Sequence, residues 1–381
     1  MLVDSAGVVK GIGSLSTSGY HRTPGEWAGR KVLRQTTAGG RLTYRWKTLE
    51  FSLNTVVYRF SLPILPNEEP RNLYDVRGRH WFNASADFSF TRKNIHGFGE
   101  AALDANRAAA WVLGLVITPS PTADLFLLTR QVSLRYRALY ANAFLESSSV
   151  ETERGFFLGI TLRPSPLVRI EAFADIYLYP WLRYRLNAPA SGTDYLVQLS
   201  YRPHKKTELL FRYRKESKKE NNLVNVEEDA IPVLFATSRT AERAQLSYLF
   251  SSRIKLRTRV EWLRIKPLPA SLRPTSGEPA ENGFLYYADL SVKHLFFGGD
   301  CSFRWQYFDT KSYESRIYAI TPYLRPGFGV SAFYGSGSHF WISLDKSLKN
   351  NILLAFNTQF SRQGDSFNIE RMGLQLSLKL Y

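Results

Sequence analysis

Between residues 253 and 262 the chain reads RIKLRTRVEW, and its polar and apolar positions alternate. Ile254, Leu256, Val260 and Trp262 fall, with Thr258, on one set of alternate positions; Arg253, Lys255, Arg257, Arg259 and Glu261 fall on the other. A period of two predicts a β-strand with two unlike faces, here one apolar and one cationic. The rhythm recurs. TELLFRYRK (207–215) sets Arg212 and Arg214 against Phe211 and Tyr213, and RQVSLRYRALY (130–140) sets Arg135 and Arg137 against Leu134, Tyr136 and Ala138. CSFRWQYF (301–308) sets Arg304 against Phe303, Trp305 and Tyr307, and GLQLSLKLY (373–381) gathers Leu374, Leu376 and Leu378 on one side. Only EAALDANRAAAWVLGL (100–115) invites a helix, and its flanks, GFGE and VITPSP, predict strand, turn and strand instead.

Most of these segments are 9 to 13 residues long. Globular strands run to about 5–6 residues, whereas a tilted strand crossing a bilayer needs about 9–11. The connections sort into two classes. TRKN (91–94), TPSP (118–121), RPSP (163–166), RPHK (202–205), SS (251–252), GG (298–299) and LKNN (348–351) are short; about 61–78, 141–153, 179–193, 216–238 and 265–282 are long. From 154 to 309 the classes alternate strictly, as in barrels with short turns at one end and long loops at the other. The expected fold is all-β: an antiparallel transmembrane outer-membrane β-barrel of about 18 strands (range about 16–20), with short periplasmic turns and long extracellular loops. No linker divides the chain, so residues 1–35 form an N-terminal segment (a first strand, loop or plug) and 36–381 the barrel.

That fold assigns the two faces. Ile254, Leu256, Val260, Trp262, Leu376 and Leu378 are expected to meet lipid. Arg135, Arg137, Arg212, Arg214, Arg253, Lys255, Arg257, Arg259 and Arg304 are expected to line the lumen, with Glu100, Asp104, Glu171, Asp175 and Glu261 as their partners, because an unpaired buried charge is costly. Tyr177, Tyr179, Trp181, Tyr286, Tyr287 and Trp341 are expected in aromatic girdles at the two interfaces. Lys and Arg outnumber Asp and Glu by 50 to 33, a net charge of +17, which points to an anionic partner: a solute, DNA or lipopolysaccharide phosphate. The luminal cations form either a wall that favours anions or an internal ladder that stiffens the barrel.

Other chemistry is sparse. The single Cys301 excludes an intrachain disulfide framework and a thiolate zinc cluster. No two of the six histidines fall within five residues, so no local metal motif exists. GVVKGIGS (7–14) lacks the Lys-Ser/Thr of a phosphate loop, and GSGSH (335–339) lacks the spacing of a nucleophile elbow. The expectation is a non-enzyme without cofactor or metal. There is no run of 18 apolar residues, and MLVDSAGVVKGIGSLS has no signal-peptide pattern.

Several phrases occur in a familiar order: SGYHRTPGEWAGRK (18–31), GGRLTYR (39–45), GFGEAALD (97–104), YPWLRYRLNAPASGTDYLVQLSYRP (179–203), LLFRYRKESKKENN (209–222), FDTKSYESRIYAITPY (308–323) and YGSGSHFWISLDKSL (334–348). The series resembles the β-barrel part of Bacteroidota outer-membrane helix-hairpin-helix domain-containing proteins of the competence type, over about 18 to 381. The resemblance implies an outer-membrane barrel, and it implies that this chain is either the carboxyl-terminal part of such a protein or a member that has lost its front, so the DNA binding of helix-hairpin-helix elements is not carried over. The expected function is a channel, or the membrane component of a translocation system, with an anionic cargo such as DNA. A scaffold barrel that docks partner proteins in a membrane complex, and a soluble nucleic-acid-binding β-protein, stay open as alternatives.

Overall fold

The computed structural model describes residues 2–3, 9–15, 19, 22–147, 149–221, 234–266, 281–295, 298–321, 329–349, 352–363 and 366–378, several positions in the last three strands by backbone alone. A two-stranded sheet, β1 (Leu2–Val3) and β2 (Val9–Gly11), precedes the short helix α1 (Pro24–Ala28). That helix starts where Thr23 caps it and Glu26 reaches back, with Pro24 at the first turn. The strands that follow are β3 (Gln35–Trp46), β4 (Leu49–Ile64), β5 (Gly78–Arg92), β6 (Ile95–Asp104), β7 (Ala109–Ser120), β8 (Ala123–Val132), β9 (Glu153–Ser165), β10 (Val168–Tyr179), β11 (Ala190–His204) and β12 (Thr207–Asn221). Then come β13 (Leu234–Leu249), β14 (Ile254–Lys266), β15 (Glu281–Val292), β16 (Asp300–Thr310), β17 (Ile317–Thr321), β18 (Gly329–Phe333), β19 (Gly335–Lys349), β20 (Ile352–Gln363) and β21 (Ser366–Leu378).

Hydrogen bonding joins β3 to β16 and β19 to β21 into a closed barrel, seventeen strands among the described residues; the expected 18 holds to within one. Every strand pair with a described register from β3 to β8 and from β13 to β21 is antiparallel. Two-residue turns at 47–48, 93–94, 121–122, 166–167 and 205–206 alternate along the chain with the connections 65–77, 105–108, 133–152 and 180–189. The alanine-rich region forms β6, a tight turn at 105–108 and β7. No described helix is long and apolar enough to cross a membrane.

The chain divides into two compact units. One holds residues 1–160, 174–193 and 219–234; the other holds 161–173, 194–218 and 235–381. In the first unit Tyr58, Phe60, Ile64, Val76 and Trp81 form a core on β4 and β5 beside the 65–77 loop. A second cluster, Val132, Tyr136 and Val150, seats the 133–152 connection. In the second unit Leu263, Leu285, Tyr287, Phe308 and Trp341 of β14, β15, β16 and β19 pack against Ile317, Ala319 and Phe333 of the β17–β18 hairpin. Among the described residues that hairpin is absent from the barrel order, and its two strands pair with each other.

The opening stretch behaves as its alternation requires. Trp262 is 47% exposed, whereas its neighbour Glu261 is 7% exposed and Arg259 6%. Phe211, Tyr213, Phe303, Trp305 and Tyr307 are likewise exposed beside inward neighbours. Two expectations need correction. RQVSLRYRALY is not one strand: β8 stops at Val132, and residues 133–152 form a strap held against β5 and β6. The cause is a set of polar ties. Trp81 and Asn83 side chains both donate to the Arg137 carbonyl, and the Arg137 N–H donates to Asp104. Tyr140 then takes φ 58°, outside any strand conformation. Nor do Tyr177, Tyr287 and Trp341 join an exposed girdle, since all three are buried on the face that carries the charges.

Candidate functional site

The charged face of the second unit is built strand by strand from inward alternate positions. On β12, Arg214 makes a bidentate pair with Asp194 of β11, at 2.6–3.1 Å. Arg212 donates through Nε and Nη2 to Gln198 Oε1, and the amide of Gln198 donates to Glu171. Arg243 of β13 and Arg259 of β14 share one carboxylate oxygen of Glu261, at 2.7 and 2.9 Å through their Nε atoms. Arg304 of β16 forks onto Asp289, directly opposite it on β15. Such planar forks suit arginine and fix side-chain direction as well as charge. Arg257 is also inward, with Nε buried and unpartnered among the described residues.

Two of these cations, together with Arg239 of β13, also reach the hairpin. Arg239 donates to the carbonyl of Arg316 at 2.7 Å, Arg259 to that of Tyr318 at 3.1 Å, and Arg304 to that of Ile320. Carbonyls 316, 318 and 320 lie on one edge of β17, because alternate carbonyls of a strand point the same way. An unpaired edge normally recruits another strand; here guanidinium groups take its acceptors. Ile317, Ala319 and Phe333 bury the hairpin's apolar side at the same time. The hairpin is therefore fixed by its backbone on one edge and by packing on one face.

The first unit carries a different ionic cluster. Arg130, nearly inaccessible, donates to Glu153 at 2.8 Å and makes a bidentate pair with Asp175 at 2.9 and 3.0 Å. Its guanidinium lies across Gly155, where a Cβ would collide with it, so glycine is required by close approach. Glu153 also accepts from the Glu146 N–H in the 133–152 strap. Arg183 of the next long connection donates to the Thr152 carbonyl at 2.9 Å and lies 3.8 Å from the centre of the Tyr179 ring.

The sequence-derived residues divide accordingly. Arg212, Arg214, Arg257, Arg259, Arg304, Glu171 and Glu261 come together on one face, and Asp175 pairs with an arginine as expected, though with Arg130. Lys255 lies on β14 but nearer the turns, lining a groove with Lys205 and Lys206. Arg253 is exposed in the turn before β14, so it does not join the row. Arg135 is exposed and Arg137 is buried in the strap, where it pairs with Asp75 at 3.1 Å. Asp104 accepts from the N–H groups of Asn106, Ala108 and Arg137, and thus caps a turn instead of neutralising a guanidinium. Glu100 is exposed. Ile254 and Trp262 are exposed and Leu256 and Val260 half-buried; the side chains of Leu376 and Leu378 lie outside the described residues. Arg130, Arg239, Arg243, Asp194 and Asp289 are additions that parity with neighbouring inward residues identifies.

No family model matches the chain, and no curated protein matches it. Solved structures do. Pseudomonas aeruginosa OccK11 (OpdR) is 9% identical over 91% of this chain and 94% of its own, with a TM-score of 0.39. Acinetobacter baumannii OccAB2 is 11% identical over 87% and 86%, with a TM-score of 0.38. The copper transporter OprC is 10% identical over 86% of this chain and 60% of its own, with a TM-score of 0.47. At such identities the functional reading stands on this chain's own residues.

Proposed function

We propose that the protein is an outer-membrane β-barrel channel whose basic inner face admits small hydrophilic anions past the β17–β18 hairpin. The observation that carries this reading is charge imbalance on one face. The seven cations Arg212, Arg214, Arg239, Arg243, Arg257, Arg259 and Arg304 stand among the five anions Glu171, Asp194, Glu216, Glu261 and Asp289. A wall of that sign attracts anions and repels cations. The opposite face, with Phe211, Tyr213, Trp262, Phe303 and Trp305 exposed, suits lipid, and strands of 10 to 16 residues in the barrel suit a bilayer. Lipid and lipopolysaccharide are then the constant partners. DNA as a larger anionic cargo rests on the net charge of +17; attachment to a translocation complex of the helix-hairpin-helix type rests on the family resemblance.

Reconstitution in a planar bilayer under a KCl gradient tests the proposal. The expected result is discrete conductance with a reversal potential displaced toward chloride, and a smaller displacement in Arg212→Gln/Arg214→Gln. A folded protein that never conducts, or one that selects potassium, overturns it; the former outcome, with stoichiometric co-purifying proteins, favours the scaffold.

A further inference from the structure

We propose that the rim formed by consecutive short turns of the second unit binds the headgroup phosphates of anionic glycerophospholipids in the leaflet that those turns reach. Three backbone hydrogen bonds set the turns side by side. The Arg202 N–H donates to the Leu167 carbonyl, the Leu249 N–H to that of Lys206 and the Lys293 N–H to that of Arg253, each at 2.8 Å. The rim so made is basic. Lys205, Lys206, Arg253 and Lys293 are exposed on it, and no ion pair joins any of the four to a described residue. The acids at hand are already engaged: Glu208 pairs with Arg202 at 2.9 Å, and Asp300 accepts from the His294 N–H at 3.1 Å.

The place of these cations selects a lipid. Tyr248, Leu256, Leu290 and Phe303 stand directly opposite one another across β13 to β16, and Leu290 and Phe303 are exposed on the apolar outer face. Phe250, edge-on to Tyr248 at 4.7 Å, and Leu295 carry exposed apolar surface on to the turns. Arg253 lies three residues beyond Leu256. At ~3.3 Å per residue and a tilt of ~35–45°, that places it about 7–8 Å nearer the water. The headgroup layer is roughly 5–7 Å thick outside a hydrocarbon core of ~30 Å. With the apolar row at the hydrocarbon edge, the cations therefore stand at headgroup depth, and their long side chains reach back along it. Lysine binds phosphate as a point charge and arginine as a fork. Short turns of such barrels face the periplasm, where the leaflet is glycerophospholipid rather than lipopolysaccharide. At the opposite ends of the same strands the signs are mixed, with Lys219, Lys266 and Lys311 among Glu220, Glu281 and Asp309.

The inference rests on the membrane reading of the barrel but not on conduction. The test is native mass spectrometry of the detergent-solubilised full chain, titrated with dioleoylphosphatidylglycerol and with zwitterionic dioleoylphosphatidylcholine. Heat-modifiable electrophoretic mobility checks the fold. A Lys or Arg near an anionic surface is worth about fivefold in affinity. Salt and the mobility of exposed side chains discount four such factors, to an expected preference of roughly tenfold or more for phosphatidylglycerol. Lys205→Gln/Lys206→Gln/Arg253→Gln/Lys293→Gln should bring the two lipids to within about twofold of each other. Lys215→Gln/Lys219→Gln/Lys266→Gln/Lys311→Gln, which removes the same charge at the other strand ends, should leave the preference intact. If the first variant does not fold, Lys205→Gln/Lys206→Gln alone should lower the preference roughly threefold. Equal retention of the two lipids by folded wild type overturns the proposal. So does an equal loss in the two quadruple variants, or capture of a short single-stranded oligodeoxynucleotide by these four residues in place of phosphatidylglycerol. A folded chain that keeps neither lipid and stays soluble without detergent overturns the membrane reading as well; one that keeps phosphatidylglycerol but never conducts supports the rim and removes only the channel.

Discussion

Phe333→Ala isolates the docking of the inner hairpin from the integrity of the barrel. Phe333 is 4% exposed, with ring centres 5.3 Å from Phe308, 5.5 Å from His339 and 6.4 Å from Trp341. Truncating a buried phenylalanine costs about 3–5 kcal/mol. The three arginine–carbonyl contacts that remain are charge-assisted, worth about 1.5–3 kcal/mol each at best. They are solvated once the hairpin lifts, so they do not replace the lost packing. At 1.4 kcal/mol per tenfold, the undocked fraction should rise roughly 10²- to 4 × 10³-fold. Barrel pairing between β16 and β19 does not involve Phe333, and unfolding of the whole chain should shift little. Two measurements follow this population. Single-channel records should gain brief excursions to a larger conductance, and trypsin should cut faster after Arg316, because cleavage tracks the open population when reclosing is fast. A folded variant whose conductance trace and cleavage rate both match wild type within twofold would refute the view that packing holds the hairpin down.

Arg130→Met should destabilise the folded chain by about 3–5 kcal/mol in urea titration, because Glu153 and Asp175 are left buried without their cation; adding Glu153→Gln and Asp175→Asn should recover much of the loss. Trp262→Lys should lower folding yield into lipid vesicles, with a cost of up to about 2–4 kcal/mol if the position is near the midplane, yet leave folding in detergent nearly intact; equal behaviour in both media would place that face away from lipid. Burial pushes the Tyr136 phenol in the strap up to about 12, helped by Glu100 and Asp104. Its contribution should therefore be complete below pH 10 and be lost as pH rises from 10 through about 12, where the unfolded chain ionises first. Comparison of wild type with Tyr136→Phe by urea midpoints across that window checks the sign.

Alternation made the barrel legible because a strand between lipid and a polar interior must change character at every residue. It was legible where the outer set is strongly apolar, as on β12, β14 and β16. It faded on β13, whose outer positions include Thr240 and Glu242, the latter paired with exposed Arg264 at 2.5 Å. Arg239 and Arg243 were missed for that reason. Trp341 and Tyr287 looked like girdle residues by type, but they share parity with Ser343 and Asp289, and parity decides the face. The seating of the 133–152 strap and of strands β17 and β18 was not legible. A strap is seated by scattered contacts, such as Trp81 to the Arg137 carbonyl, that follow no period in either partner's sequence.

The grip on carbonyls 316, 318 and 320 has an evolutionary side. Arginines that hold a backbone impose no requirement on the side chains attached to it. Tyr318, Ile320 and Val330 point away from the wall and are exposed, so they can be exchanged without loosening the element that displays them. The hairpin is thus a mount with replaceable tips: drift or selection can change the surface it displays by substitution at these positions, while the fold that presents them stays the same.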